Sequence, residues 1–286
     1  MYVSTKDVRN TIGISDTDVI SDSTLESAIQ WAEDQVDSYT NTTYYPLESS
    51  GKATSATATT LTVSGATWTV NEYENFSVYI YAGIGKGQIR SIVSNTADTL
   101  TVATWTTTPD ATSKFVVSYD NYVTDELYEG TGTAELMLDR RPLVQLDALT
   151  IDSTAITPSE VYTYNDTGKL ILKNSAEKRY FIPAPNTDDR QIVSVDYHWG
   201  VLPEVRRGRL VGLPPLIARF TCVIAGFKAL SYQIGGTYDD LSTFTLPDFS
   251  GSIGQAYINL KSTIDVLQQE FKEMLRMNVG RYPFMA

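Results

Sequence analysis

Cysteine and histidine are nearly absent: the chain holds one of each, Cys222 and His198. A single cysteine excludes an internal disulfide framework, and one cysteine with one histidine cannot supply a zinc site. Cys222 lies in an apolar run, which predicts a packed, unreactive thiol. Long apolar runs are lacking too. The most apolar segment, LPPLIARFTCVIAGFKAL (213–230), carries Pro214, Pro215, Arg219 and Lys228 and is too interrupted and short to span a bilayer. The opening MYVSTKDVRN has no apolar core, so no secretory signal is expected, and a protein made and kept or assembled in the cytoplasm fits best. Positive charge is also scarce. Lys and Arg number 22 against 34 Asp and Glu, a net charge of −12. That argues against a partner held mainly by phosphate contacts, though DNA could pass such a surface without sticking.

What is present is ordinary for a globular protein: 42% hydrophobic and 20% charged residues over 286 positions. The first fifty residues read as helical. Ser4 with Asp7 predicts a capped start and Gly13 a stop. A second helix is expected from STLESAIQWAEDQVDSYT, with Ser23 and Glu26 as its capping box and Leu25, Ile29, Ala32, Val36 and Tyr39 as its apolar stripe. From 52 the composition turns to Thr, Ser, Val and Tyr. TLTVSGATWT (60–69) is echoed by TLTVATWT (99–106), which suggests two similar edges of a small β module. In NFSVYIY, Phe76, Val78 and Ile80 alternate with Ser77, Tyr79 and Tyr81. In QIRSIVS, Ile89, Ser91 and Val93 alternate with Arg90, Ile92 and Ser94.

Between those strands stands AGIGKGQ, which invites a phosphate-loop reading. A Walker loop needs Gly-Lys followed by Ser or Thr and then a helix. Here Lys86 precedes Gly87 and Gln88, and the continuation alternates like a strand. Gly83, Gly85 and Gly87 are therefore expected to supply positive φ angles in a hairpin turn, with no cofactor bound.

Strand patterns continue from 130 to 200. NDTG (165–168) is read as a hairpin turn, and Val193, Val195, Tyr197 and Trp199 share one face. A helix is expected from Pro215 to Ile234, ending before Gly235-Gly236, with Leu216, Phe220, Val223, Ile224, Phe227 and Leu230 buried. A last helix is expected over 252–278. Ile253, Tyr257, Leu260, Ile264, Leu267, Phe271 and Met274 form a coiled-coil seam there, which wants a partner helix.

Catalytic patterns are missing. His198 could borrow Asp196, but no Gly-x-Ser-x-Gly elbow is present, and a hydrogen-bonded or solvated strand histidine is the expectation. DTDVISDSTLE lacks the spacing of a calcium loop, and the pairs Asp188-Asp189 and Asp239-Asp240 fall in polar loops. The chain is expected to be no enzyme and to hold no metal. Contact features are more evident. Arg206, Arg207 and Arg209 cluster in PEVRRGRL, where a solvated turn competes with contact to an acidic partner or DNA phosphate. The tail carries Arg281, Tyr282, Phe284 and Met285, either a loose end or a hook for a neighbour.

The order of these segments resembles the head–tail connector (adaptor) proteins of long-tailed phages and related archaeal viruses. The resemblance rests on Leu136, Leu138, Arg141, Pro142 and Leu143 in L-x-L-x-x-R-P-L, and on Val195, Tyr197 and Gly200 in V-x-Y-x-x-G. It covers roughly residues 1–50 and 125–278, while 52–118 departs from compact members. It implies an α+β fold: a helical bundle formed by the N- and C-terminal helices with inserted antiparallel β domains. The parts expected are N-terminal helices of the core (1–50), an inserted β module (51–120), an antiparallel β region (121–212), and C-terminal helices with an extended tail (213–286).

The resemblance further implies a homo-oligomeric ring, dodecameric in the family, at the virion's head–tail interface. The ring would dock on the portal protein, meet a tail-side connector or tail completion protein, and be assembled in the host cytoplasm without membrane contact. DNA would pass the lumen without specific binding, repelled by acidic walls over about one Debye length, ~8 Å at physiological salt. The alternative from another class is a β-rich virion adhesion or carbohydrate-binding protein, given 18 Tyr and 4 Trp for sugar stacking. A third, an enzyme with clustered carboxylates, would need a deep cleft with paired acids.

Overall fold

The computed structural model describes residues 1–14, 17, 20–174, 180–181, 192–206, 209–234 and 269. Helix α1 (Thr5–Ile12) starts on a complete capping box. The Ser4 side chain accepts from the Asp7 amide, the Asp7 carboxylate accepts from the Ser4 amide, and Gly13 ends the helix at φ 73°. Helix α2 (Asp22–Thr40) starts two residues before the expected cap: Ser21, not Ser23, accepts from the Thr24 amide. Two things favour the earlier start. Ile20 and Leu25, the positions of a hydrophobic staple, are both buried, and Asp22 in the first turn binds Arg9 at 2.7 Å. Leu25, Ile29, Ala32 and Val36 are buried as expected, but Tyr39 is exposed.

Seven strands follow: β1 (Ser49–Lys52), β2 (Ser55–Ala56), β3 (Thr60–Thr62), β4 (Phe76–Ala82), β5 (Ile89–Asn95), β6 (Thr99–Val102) and β7 (Lys114–Tyr119). They form one antiparallel sheet in the order β1-β7-β4-β5-β6-β3-β2. The echoed segments are not its edges. They pair with each other, Leu61 opposite Leu100, as interior strands. Identical alternation lets both leucines drop into one core with Val78, Ile80, Phe115 and Val117. The β4–β5 turn is the glycine loop, with Gly83, Gly85 and Gly87 all at positive φ. Gln88 staples it, donating to the carbonyls of Gly85 and Thr107 at 3.0 and 2.8 Å.

The chain continues through β8 (Tyr122–Tyr128), β9 (Glu135–Met137), β10 (Leu143–Ile151), β11 (Thr154–Ile156), β12 (Val161–Tyr164), β13 (Lys169–Leu172), β14 (Val193–Trp199), β15 (Glu204–Arg206) and β16 (Arg209–Val211). The sheet order β11-β10-β14-β8 sits beside a smaller sheet, β12-β13-β9, with which it shares a core including Leu136, Leu146, Leu149, Leu170, Val195 and Tyr197. Strand β10 explains itself. Its buried residues, Leu143, Leu146, Leu149 and Ile151, step by three, three and two. A strand of period two can bury such a set only with an extra residue at each odd step. The register shifts fall there, between Leu143 and Gln145 and between Leu146 and Ala148.

Helix α3 (Pro215–Ile234) has the predicted bounds. Ile217, Phe220, Val223 and Leu230 are buried, while Leu216, Ile224 and Phe227 are only half-buried, so its apolar stripe is narrower than expected. It packs on α1 and α2, and residues Met1–Asn41 with Leu213–Ala286 make one compact unit and Thr42–Gly212 another.

The expected fold class is overturned. The chain is β-rich, with sixteen strands and three α-helices among the described residues, and is not a helical bundle formed by its terminal helices. Short Thr-, Ser- and Val-rich segments with period-two burial claim most of the length, and antiparallel sheets are their stable packing. The predicted helix over 252–278 lies outside the described residues, save Gln269.

Candidate functional site: a buried serine–histidine–aspartate seam

Three strands of the seven-stranded sheet bury their core side chains on one face and place serines on the other. Ser77 on β4 stands opposite both Ser118 on β7 and Ser91 on β5, making a row of three hydroxyls across three strands. Beside it runs a second row, Val116, Tyr79 and Ile89. A serine this deep must find a hydrogen-bond partner, because an unpaired buried hydroxyl is costly. Ser118 donates to the Pro46 carbonyl at 2.5 Å, Ser77 donates to Asp120 Oδ1 at 2.5 Å, and Ser91 Oγ lies 3.4 Å from His198 Nε2.

His198 collects the remaining bonds. It is 2% exposed. Its Nδ1 meets Asp147 Oδ2 at 2.7 Å and its Nε2 lies 3.5 Å from Asp120 Oδ1. The Tyr122 ring stacks on the imidazole, with centroids 4.6 Å apart. Burial, and then the neighbouring carboxylates Asp196, Asp147 and Asp120, push the Tyr122 phenol up to about 12. Asp147 owes its aim to the second bulge of β10, where it is the residue left without a cross-strand partner. Gln145 donates to Asp147 and accepts from Arg90 Nη1 at 3.2 Å. The buried Arg90 guanidinium also donates to the Ile89 and Thr104 carbonyls and to Thr106 Oγ1, and burial lowers its pKa.

Ser91, His198 and Asp147 stand in the order of contacts of a hydrolytic triad. A general base must take the nucleophile's proton and then give it to a leaving group that reaches the same nitrogen. Here Nε2 is shared between Ser91 at a long 3.4 Å and the carboxylate of Asp120, and Ser91 sits mid-strand in a regular ladder, not on an exposed turn. The tyrosine ring covers one face of the imidazole. This histidine joins β14 to β10 through Asp147 and to β5 through Ser91. Asp196, the partner considered from the sequence, instead accepts from the Asp125 amide at 2.7 Å.

A second polar cluster lies within the other sheet pair. Glu126 accepts from the hydroxyls of both Tyr128 and Tyr197, and Arg140 stands 3.6 Å from its other oxygen. Burial and this carboxylate raise both phenols, so they stay neutral donors at ordinary pH. The residues that carried the family resemblance converge nearby: the Gly200 amide donates to the Pro142 carbonyl at 2.8 Å, and Gly200 at φ 113° passes so close to Thr43 that a Cβ would stand 2.9 Å from its carbonyl oxygen.

Of the predicted contact residues, Arg206 and Arg209 fall opposite each other in the β15–β16 hairpin. Arg207, Arg281, Tyr282, Phe284 and Met285 lie outside the described residues, as do the seam residues Tyr257, Leu260, Ile264, Leu267 and Phe271 and the acid pairs at 188–189 and 239–240. The glycine loop is a turn between antiparallel strands and is followed by no helix. Ser77 and Ser91 were legible as alternating positions, but the row they form with Ser118 was not, because pairing between strands sets the row. Cys222 is buried, which pushes its thiol up to about 11.

Among the described residues no group of three or more His, Cys, Asp and Glu is placed to hold a metal ion, and no helix is long and apolar enough to cross a membrane. No protein-family model matches the chain, and no curated protein matches it either.

Proposed function

We propose that this chain is a virion structural protein, a subunit of a head-to-tail connector ring that docks on a portal and forms part of the channel through which DNA leaves. One observation carries the proposal. The chain leaves α2 at Thr40, spends Thr42–Gly212 in β structure, and returns in α3, which packs on α1 and α2. A subunit whose α1, α2 and α3 pack together can present that helical unit to neighbours. The net charge of −12 suits a lumen that DNA slides past. The polar cluster around His198, fully engaged in tying strands together, supports a mechanical role over a chemical one.

The test is to co-express the chain with the portal protein of the same particle and image the product. A collar of this subunit beneath the portal is the expected result, with an acidic lumen. Density for it on the tail fibre or capsid surface would reject the proposal.

A second reading has its own observation. Tyr162 and Tyr164 are both more than half exposed on the edge strand β12, and Lys173 Nζ lies 4.6 Å from the Tyr162 ring centre. Exposed aromatic rings two residues apart on a strand suit sugar stacking, so a β-rich adhesion or carbohydrate-binding protein is the alternative. Glycan-array binding abolished by Tyr162→Ala and Tyr164→Ala would favour it; a connector binds no sugar.

A further inference from the structure

We propose that the seven-stranded sheet is an independently folded module, latched to the second β layer by Gln145 and His198 and able to swing on a two-chain neck when that latch opens. Three observations combine. The module has its own core, drawn from residues between Ala53 and Val117, and the second layer has another, drawn from residues between Val123 and Tyr197; no residue belongs to both. The chain enters the module at Glu48–Ser49 and leaves it after Tyr119, and these two crossings are neighbours, with Ser49 paired to Val117 and the Glu48 amide bonded to the Val117 carbonyl at 3.1 Å. Two adjacent strands make a neck about which a body can turn, as hinge motions use a few element-end residues.

The third observation is the chemistry of the seam. Ser118 and Ser77 bond to the neck itself, to Pro46 and Asp120, and would travel with it. Beyond the neck, the module reaches the second layer through Ser91 to His198 and through Arg90 and the Ile89 amide to Gln145. Neither partner is part of a core. His198 alternates with Val195 and Tyr197 and faces away from the residues they pack on, and Gln145 stands at the first bulge of β10. A seam built on hydrogen bonds can exchange its partners for water, whereas a seam built on packed apolar surface cannot. Ile89 and Val116 are the module's buried apolar residues beside the serine row, and Tyr45 of the neck is buried near Asp120 and Asn121.

The experiment removes the latch and leaves both cores untouched. In the Gln145→Ala/His198→Ala double variant, hydrogen exchange is followed by mass spectrometry and the size distribution by small-angle scattering. The expected result has three parts: faster exchange in the neck peptides spanning 46–49 and 118–122, a larger maximum dimension, and unchanged protection of β3 and β6. Unchanged neck exchange and dimension would overturn the latch. Protection lost from both cores together would overturn the module's independence. The wild-type chain supplies a check that needs no variant. In rising urea, the amides of β3 and β6 should lose protection at a midpoint distinct from those of β10 and β14, and a single shared midpoint would equally refute the proposal.

Discussion

His198 Nδ1 and Asp147 Oδ2 stand 2.7 Å apart on adjacent strands, yet Asp147 is the bulged residue of its strand and has no partner in the ladder. The bulge that lets Leu146 and Leu149 share a core is the same one that delivers the carboxylate to the imidazole. Packing on one face of β10 thus determines the chemistry on the other.

Replacing His198 by Ala should take one partner each from the partly buried carboxylates of Asp147 and Asp120, which keep Gln145 and Ser77 as donors. A loss of about 1–3 kcal/mol is expected from unsatisfied buried groups. Urea denaturation of the variant measures it, and a change under about 0.5 kcal/mol, the usual scale of surface substitutions, would mean the histidine is dispensable.

Gly226 in α3 is a close-approach position. A Cβ there would stand 2.4 Å from Ile12 Cγ2, on a buried, β-branched side chain of α1 that has little freedom to move away. Gly226→Ala should gain about 1 kcal/mol in helix propensity and lose about 1–3 kcal/mol to overpacking. Net destabilisation is expected in thermal melts. A variant more stable than the parent would show that the helices separate easily.

The glycine loop offers an internal control. Gly83 and Gly87 both have positive φ, but a Cβ on Gly83 would stand 2.4 Å from the Thr112 carbonyl oxygen, while Gly87 has open space around it. Gly87→Ala should cost only the left-handed backbone penalty, about 1–2 kcal/mol, and Gly83→Ala clearly more. The same protein should show no thermal shift with ATP or ADP, since the loop lacks the helix a phosphate site requires.

Cys222 gives a pH dependence of known direction. Its thiol is raised from 9.0 to about 11 by burial. A folded-state value above the unfolded one means the contribution is fully present below pH 9, where both states hold the proton. It is lost as pH rises from 9 toward 11, where the unfolded chain alone releases it. Stability measured from pH 8 to 11 should fall across that window, and less so in Cys222→Ala. Aromatic disulfide reagents should label the thiol at pH 8 only after denaturant is added; rapid labelling of native protein would contradict its burial.

The family resemblance suggested a helical bundle of N- and C-terminal helices with inserted antiparallel β domains, and the weight of β structure overturned that. Helix bounds were legible wherever a chemical stop exists. Ser4, Asp7 and Gly13 framed α1, and Pro215 with the glycines after Ile234 framed α3, because caps and breakers act within a few residues of themselves. The start of α2 was misplaced because two serines compete there, and the choice fell to Ile20 and to Arg9, which comes from a different helix.

Local rules, then, determined from sequence alone the caps of α1, the glycine turn, the buried thiol and the alternating faces of β4 and β14. Tertiary structure decided what those faces meet. The serine row exists only once β7, β4 and β5 are in register, and the Asp147–His198 contact joins positions separated by 51 residues. Alternation fixes which side of a strand a residue occupies, but register between strands and the placement of bulges are set by the core as a whole, and no single segment carries that information.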